Sequence, residues 1–154
     1  ADNIDDLVSN GMEANINIMF YGPSYNFKMI SGYSHTVSGS KGKRSSENSE
    51  KRFQLIYVPA DMFNTLLRAE RKNIYTTVRI NYTGKRFIDA DNTMYLSPYT
   101  VTDLDVGIKL TLRKTLTDIR VGVDNVFNID YQNIAYYPMP RRNFIASIIF
   151  QIKK

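Results

Sequence analysis

At 154 residues the chain has room for one domain. Cysteine is absent, which excludes disulfides, thiolate nucleophiles and thiolate metal sites, and no run of about eighteen apolar residues is present to form a membrane-spanning helix. The formal net charge of +5 invites a nucleic-acid partner. However, the basic residues are scattered over turns and loops, from Lys41, Lys43 and Arg44 to Lys153 and Lys154, with acidic residues between them, so no nucleic acid is expected.

Residues Ala1 to Val8 carry neither the basic nor the apolar region of a signal peptide. The first predicted strand runs from Ser9 to Tyr21, where Met12, Ala14, Ile16, Ile18 and Phe20 alternate with Glu13, Asn15 and Asn17. Gly22-Pro23-Ser24 then forms a tight turn. The second strand, Tyr25 to Thr36, sets Tyr25, Phe27, Met29 and Tyr33 on one face, and Asn26, Lys28, Gly32 and Ser34 with Ile30 on the other. A polar loop from Ser38 to Glu50 follows, and Arg52 to Val58 extends it as a hairpin arm until Pro59 interrupts it.

The third strand, Ala60 to Glu70, has the weakest alternation, and Asp61 to Arg71 also fits a helix with Asp61 as its N-cap. After a turn at Arg71-Lys72-Asn73, the fourth strand runs from Ile74 to Arg86 and alternates Ile74, Val78, Ile80 and Tyr82 with Tyr75, Thr77, Arg79 and Asn81. A long loop covers Phe87 to Pro98. The fifth strand has the sharpest pattern, with Leu104, Val106, Ile108, Leu110 and Leu112 between Asp105, Gly107, Lys109 and Thr111. Period two places all five aliphatics on one face. The sixth repeats it with Ile119, Val121 and Val123 against Asp118, Arg120, Gly122 and Asp124. A hairpin centred on Thr115-Leu116 would set Arg113 opposite Asp118, Leu112 opposite Ile119, Leu110 opposite Val121 and Ile108 opposite Val123. After a loop from Asn128 to Pro140, the seventh strand presents Phe144, Ala146, Ile148, Phe150 and Ile152 on one face.

Connections alternate short and long. Outer-membrane barrels sort their loops in this way, with short periplasmic turns and long extracellular loops. The apolar face would then meet lipid, through Leu104, Val106, Ile108, Leu110, Leu112, Ile119, Val121, Val123, Phe144, Ile148 and Phe150. The polar face would line the lumen, through Lys28, Arg79, Asp103, Asp105, Lys109, Arg113, Asp118, Arg120 and Asp124. The nineteen aromatics, eleven Tyr and eight Phe, suit interfacial girdles. Complete bacterial barrels have even strand numbers, and an open sheet in lipid leaves unpaired backbone groups that each cost several kcal/mol. About seven strands therefore imply that the remaining ones lie on another chain or fragment.

Several runs carry a resemblance. Ser31-Gly-Tyr-Ser-His-Thr36, Tyr57-Val-Pro-Ala-Asp61, Tyr82-Thr-Gly-Lys-Arg-Phe87, Tyr99-Thr-Val-Thr-Asp-Leu104, Val123-Asp-Asn-Val-Phe-Asn-Ile-Asp-Tyr131 and Pro138-Met-Pro-Arg-Arg-Asn-Phe144 follow one another in the order and spacing of the C-terminal strands of TonB-dependent outer-membrane receptors. The chain departs from that pattern at Asp61, where His is common, at Arg141, where Gly is usual, and at its end, Phe150-Gln-Ile-Lys-Lys154, which lacks a terminal aromatic. The resemblance implies an all-β, antiparallel transmembrane barrel segment, with residues 1–154 forming the last strands of a barrel of about twenty-two. The plug domain and earlier strands would lie outside this chain. It further implies import of a scarce solute such as an iron–siderophore, haem or cobalamin, with no enzymatic activity and no cofactor. The implied partners are the remaining strands and plug, TonB acting through the plug, outer-membrane lipid and lipopolysaccharide, and a surface lipoprotein.

Tyr95, Tyr99, Tyr131, Tyr136, Tyr137, Arg141 and Arg142 fall in or beside the outer loops and are the candidate solute contacts. Lys41, Lys43 and Arg44 are placed to meet lipopolysaccharide phosphates or simply solvent. Asp103 and Asp105 share a face, a spacing common by chance, so no catalytic pair is assigned. The single histidine, His35, reads as an interface residue rather than a metal ligand. Gly32, Gly107 and Gly122 lie on the polar face, where they either let the plug or solute approach or relieve barrel curvature. Two rival architectures remain: a complete eight-stranded barrel acting as an adhesin, with its eighth strand from Arg52 to Val58, and a soluble β-sandwich that binds carbohydrate or protein.

Overall fold

The structure is a computed structural model that describes residues 7–41 and 52–152. Its elements are β1 (Leu7–Tyr21), β2 (Asn26–Lys41), β3 (Arg52–Gln54), β4 (Asp61–Arg71), β5 (Ile74–Thr83), β6 (Arg86–Phe87), β7 (Tyr95–Leu96), β8 (Tyr99–Leu112), β9 (Thr115–Asp124), β10 (Gln132–Ile134), β11 (Tyr137–Pro138) and β12 (Asn143–Ile152). The seven long strands form one antiparallel sheet in the order β1-β2-β4-β5-β8-β9-β12, each beside its neighbour in sequence. No helix among the described residues is long and apolar enough to cross a membrane, which says nothing against crossing with strands.

Asp61–Arg71 is a strand, not the helix its sequence also allowed, and is paired along its whole length with β2 and β5. Ladder bonds on both sides override a weak local pattern. β2 continues past Thr36 to Lys41, where Arg52–Gln54 pairs with it from Gly39 to Lys41. The expected arm is therefore real but only three residues long, and no eighth barrel strand appears among the described residues. β5 ends at Thr83 instead of Arg86. Gly84 donates a last backbone bond to Asp61 O at 2.8 Å, and the chain then leaves the sheet to form the β6–β7 arch. The basic group Lys41, Lys43 and Arg44 lies at or beyond the edge of the described residues.

The β8–β9 hairpin corrects the expected register. Its turn is Arg113-Lys114, with Leu112 opposite Thr115, Leu110 opposite Thr117, Ile108 opposite Ile119 and Val106 opposite Val121. Arg113, expected on the polar wall, occupies the turn, with φ 54°. Lys72 does the same at the β4–β5 turn, with φ 53°. A left-handed first turn residue lets two residues close each hairpin, and nothing in either side chain advertises it. The register moves by an even number of residues, so every side chain that remains within the two strands keeps its expected face.

The two faces differ in kind. On one, Phe144, Val123, Leu104 and Val78 lie side by side, as do Ile148, Ile119, Ile108 and Ile74. Tyr33, Phe63 and Tyr82 form an aromatic row toward the loop end of this face, and Phe20 and Phe27 pair near the turn end. Nothing among the described residues covers this face. Among the described residues Tyr75 is the one buried hydrophobic side chain, while Phe144 and Ile152 are exposed to 78% and 77%. A sandwich needs a second sheet over its apolar face, and the long strands here make a single layer.

Candidate functional site

The polar face is organised around Arg79 on β5. Its guanidinium contacts Asp105 on β8 through one terminal nitrogen, Asp103 at 3.5 Å through Nε, and Asp124 on β9 at 3.8 Å. One cation thus ties three strands through three carboxylates, an arrangement set by the register pair Arg79–Asp103 and by the alternation that returns Asp105 to the same face. Nearer the turn end, Glu70 accepts from Arg68 at 3.2 Å and from Lys109 at 3.4 Å. The Tyr75 hydroxyl donates to Asp118 at 2.7 Å, with Arg68 stacked 3.8 Å from the ring centre. Lys28 and Arg120 lie on this face without an ion pair among the described residues.

Two glycines make this network possible. Tyr75 lies flat across Gly107, its register partner, and so reaches from β5 past β8 to Asp118 on β9. Asp105 lies against Gly122 in the same way. A Cβ on either glycine would collide with the neighbour's side chain. The space that sequence reading offered to plug or solute is thus filled by this chain itself. At Gly32 the neighbours are Asn15 and Asn64.

Asn125 turns the chain from β9 into the loop that covers this wall. It sits at φ 51°, is 2% exposed, and exchanges side-chain bonds with the Ile129 backbone, donating to its carbonyl at 2.8 Å and accepting from its amide at 2.8 Å. Its own amide donates to Asp103 at 3.0 Å. Asn tolerates the left-handed region and forms such local rings readily. Above the wall, the Tyr99 and Tyr131 ring centres are 4.4 Å apart at 39°. The Tyr99 hydroxyl donates to Asn133 at 2.6 Å. Burial holds the Tyr131 phenol above its ordinary pKa, with Tyr99, Asp103 and Asp124 adding to the effect.

Of the seven candidate solute contacts, the structure brings three together. Tyr95, Tyr99 and Tyr131 border an open hollow of about 350 Å³ between the loops. Tyr99 and Tyr131 also border a larger hollow of about 540 Å³ on the polar wall, beside Arg79, Asp103, Asp124, Asn125 and Asn133. The other four do not join them. Tyr136, 90% exposed, and Tyr137 stand on the tongue formed by β10 and β11, Arg141 is paired with Asp130 at 2.6 Å, and Arg142 binds the loop through its backbone amide to Asn128. Arg86 and Asn125 stand in the quoted motif runs but were given no role from the sequence, and Asn133 and Tyr75 were not singled out as site residues; Arg86, Asn133 and Tyr75 act through partners distant in the chain. His35, read as an interface residue, bonds Asp61 at 2.8 Å on the apolar face, where Tyr33 also donates to Asp61 at 2.7 Å. In the β6–β7 arch, hydrogen bonds from Thr93 and the Met94 amide hold the Asp89 carboxyl below the usual range.

No curated protein matches the chain. Among solved structures it is similar to BauA, the ferric preacinetobactin receptor from Acinetobacter baumannii, with a TM-score of 0.61 at 12% identity. At that identity the likeness concerns the fold. It covers 94% of this chain and 26% of BauA, so the chain spans about a quarter of that receptor. The family model for the TonB-dependent receptor-like β-barrel matches residues 1–126, reaching further toward the N-terminus than the motif runs and covering only the start of the Val123–Tyr131 run. A single-layer antiparallel sheet with one apolar face, one ion-paired face and its long loops at one end agrees with that match, and the chain belongs to the TonB-dependent receptor-like β-barrel family.

Proposed function

We propose that this chain forms the C-terminal wall of an outer-membrane, TonB-dependent importer of a scarce solute. The observation that carries the reading is the pairing of an uncovered apolar face with an opposite face that gathers three carboxylates around Arg79 across three strands. Lipid suits the first, and a water-filled or plugged lumen suits the second. The two free rims, β1 and β12, have unpaired backbone groups that a bilayer does not tolerate. The remaining strands and the plug therefore belong to the same assembly, with TonB acting through the plug. In this reading the apolar residues from Leu104 to Phe150 meet lipid, while Arg79, Asp103, Asp105 and Asp124 face the plug. The mouth around Tyr95, Tyr99 and Tyr131 meets the solute.

An iron chelate is the favoured solute, because the similar BauA is named for a ferric chelate. Haem or cobalamin would be the next candidates. The test is to purify the polypeptide carrying this segment from outer membranes in detergent, and to compare its gel mobility with and without heating. Migration as one heat-modifiable barrel that includes a plug supports the importer. A species that stays monodisperse and folded without detergent would sink it.

A further inference from the structure

Arg86 is a guanidinium that the polar wall does not explain. It lies in β6, just beyond the end of β5, and is 3% exposed. No carboxylate pairs with it among the described residues, and its Nε has no hydrogen-bond acceptor. Its remaining contacts are neutral: the face of the Tyr99 ring at 4.9 Å, Asn133 Oδ1 at 3.4 Å and the Ser97 carbonyl at 3.4 Å. Burying a charge without a counter-charge is unfavourable, and an apolar residue of similar size would serve stability better. What an apolar residue would not do is join two loops. Arg86 belongs to the loop between β5 and β8, and Asn133 to the loop between β9 and β12. Asn133 Oδ1 accepts both from Arg86 and from the Tyr99 hydroxyl, so the ring is held on its face by the cation and at its edge by the amide. Tyr131 then packs against the ring so held.

We propose that Arg86 and Asn133 are positioning residues of the mouth, locking the Tyr99–Tyr131 pair so that a solute meets a preformed ring wall instead of loops that fold over it. The proposal rests on the importer reading for its purpose but not for its geometry. The unmatched charge on Arg86 gives it a distinctive signature. Asn133→Asp supplies the missing carboxylate at the same position, and should tighten both loops only while Arg86 is present.

The experiment is backbone hydrogen exchange on the full receptor in detergent, without solute, read over 84–98 and 125–142. Asn133→Asp is expected to slow exchange in both segments by about fivefold, and that gain should vanish in the Arg86→Gln background. A gain that persists without Arg86, or that is confined to 125–142, overturns the proposal. Should Arg86→Gln not assemble, Tyr99→Phe keeps the ring and removes the hydroxyl. It is then expected to speed exchange about fivefold in both segments, and no change in 84–98 overturns the proposal equally. Transport plays no part in this measurement, so its failure leaves the importer reading standing, and failure of that reading leaves these exchange rates as they are.

Discussion

Along β8, Asp105 and Gly107 are buried between side chains of β5 and β9, whereas nine of the ten residues of β12 are exposed. From Val8 to Tyr21, every residue of β1 is exposed as well. The strands do not differ in composition enough to explain this, since β12 is richer in large apolar residues than β8. They differ in neighbours. A side chain on a sheet is covered by the residues opposite it on both adjoining strands, and the rim strands have one such neighbour each. The middle of this sheet is thus a finished piece of wall, and the rims are half of an interface.

The largest effect should come from breaking the apolar face at its middle. Val106→Arg in the assembled receptor places a charge level with Val121 and Ala146, and is expected to cost about 2–4 kcal/mol in unfolding from lipid vesicles. Ile148→Arg on the rim should cost a similar amount if β12 also faces lipid there. A neutral result at both positions would refute a lipid-facing sheet. Next comes the finished wall itself. Arg79→Ala leaves Asp105 with its side chain 8% exposed and its cation gone, at a cost of about 2–3 kcal/mol. Adding Asp105→Asn should recover part of that loss, and chemical denaturation of the double mutant against both single mutants measures the coupling. Equal losses with no coupling would mean the pair is incidental. The smallest is Gly107→Ala. The new methyl displaces the Tyr75 ring and weakens its bond to Asp118, at about 1–2 kcal/mol. Combining it with Tyr75→Ala should abolish that penalty, and a penalty unchanged in the double mutant would place the strain in the backbone.

Much of the wall was legible before the structure. Strict alternation from Leu104 to Leu112 and from Ile119 to Asp124 defined the faces, because period two is a property of the strand and survives any even error in register. That is why the β8–β9 turn could be misplaced by two residues, and the pairing by four, without exchanging one face for the other. Arg79, Asp103, Asp105 and Asp124 could be assigned to one face, but not to one another. Their union depends on which strands are adjacent and in what register.

The sequence by itself determined six of the seven long strands, leaving Asp61–Arg71 open between strand and helix, together with their two faces and the sorting of short turns from long loops, since these follow from local periodicity and from where polar runs interrupt it. Tertiary structure alone decided how the turns close, where the β8–β9 turn falls, and how the residues of the mouth meet. Arg113 and Lys72 enter the left-handed region because the strands on either side dictate the closure, and neither residue type prefers it. Arg86, Tyr99 and Asn133 meet across 47 residues of chain, through two loops that carry no periodic pattern. Contacts between irregular segments depend on where the strands beneath them end, and that position is fixed only when the whole sheet has paired.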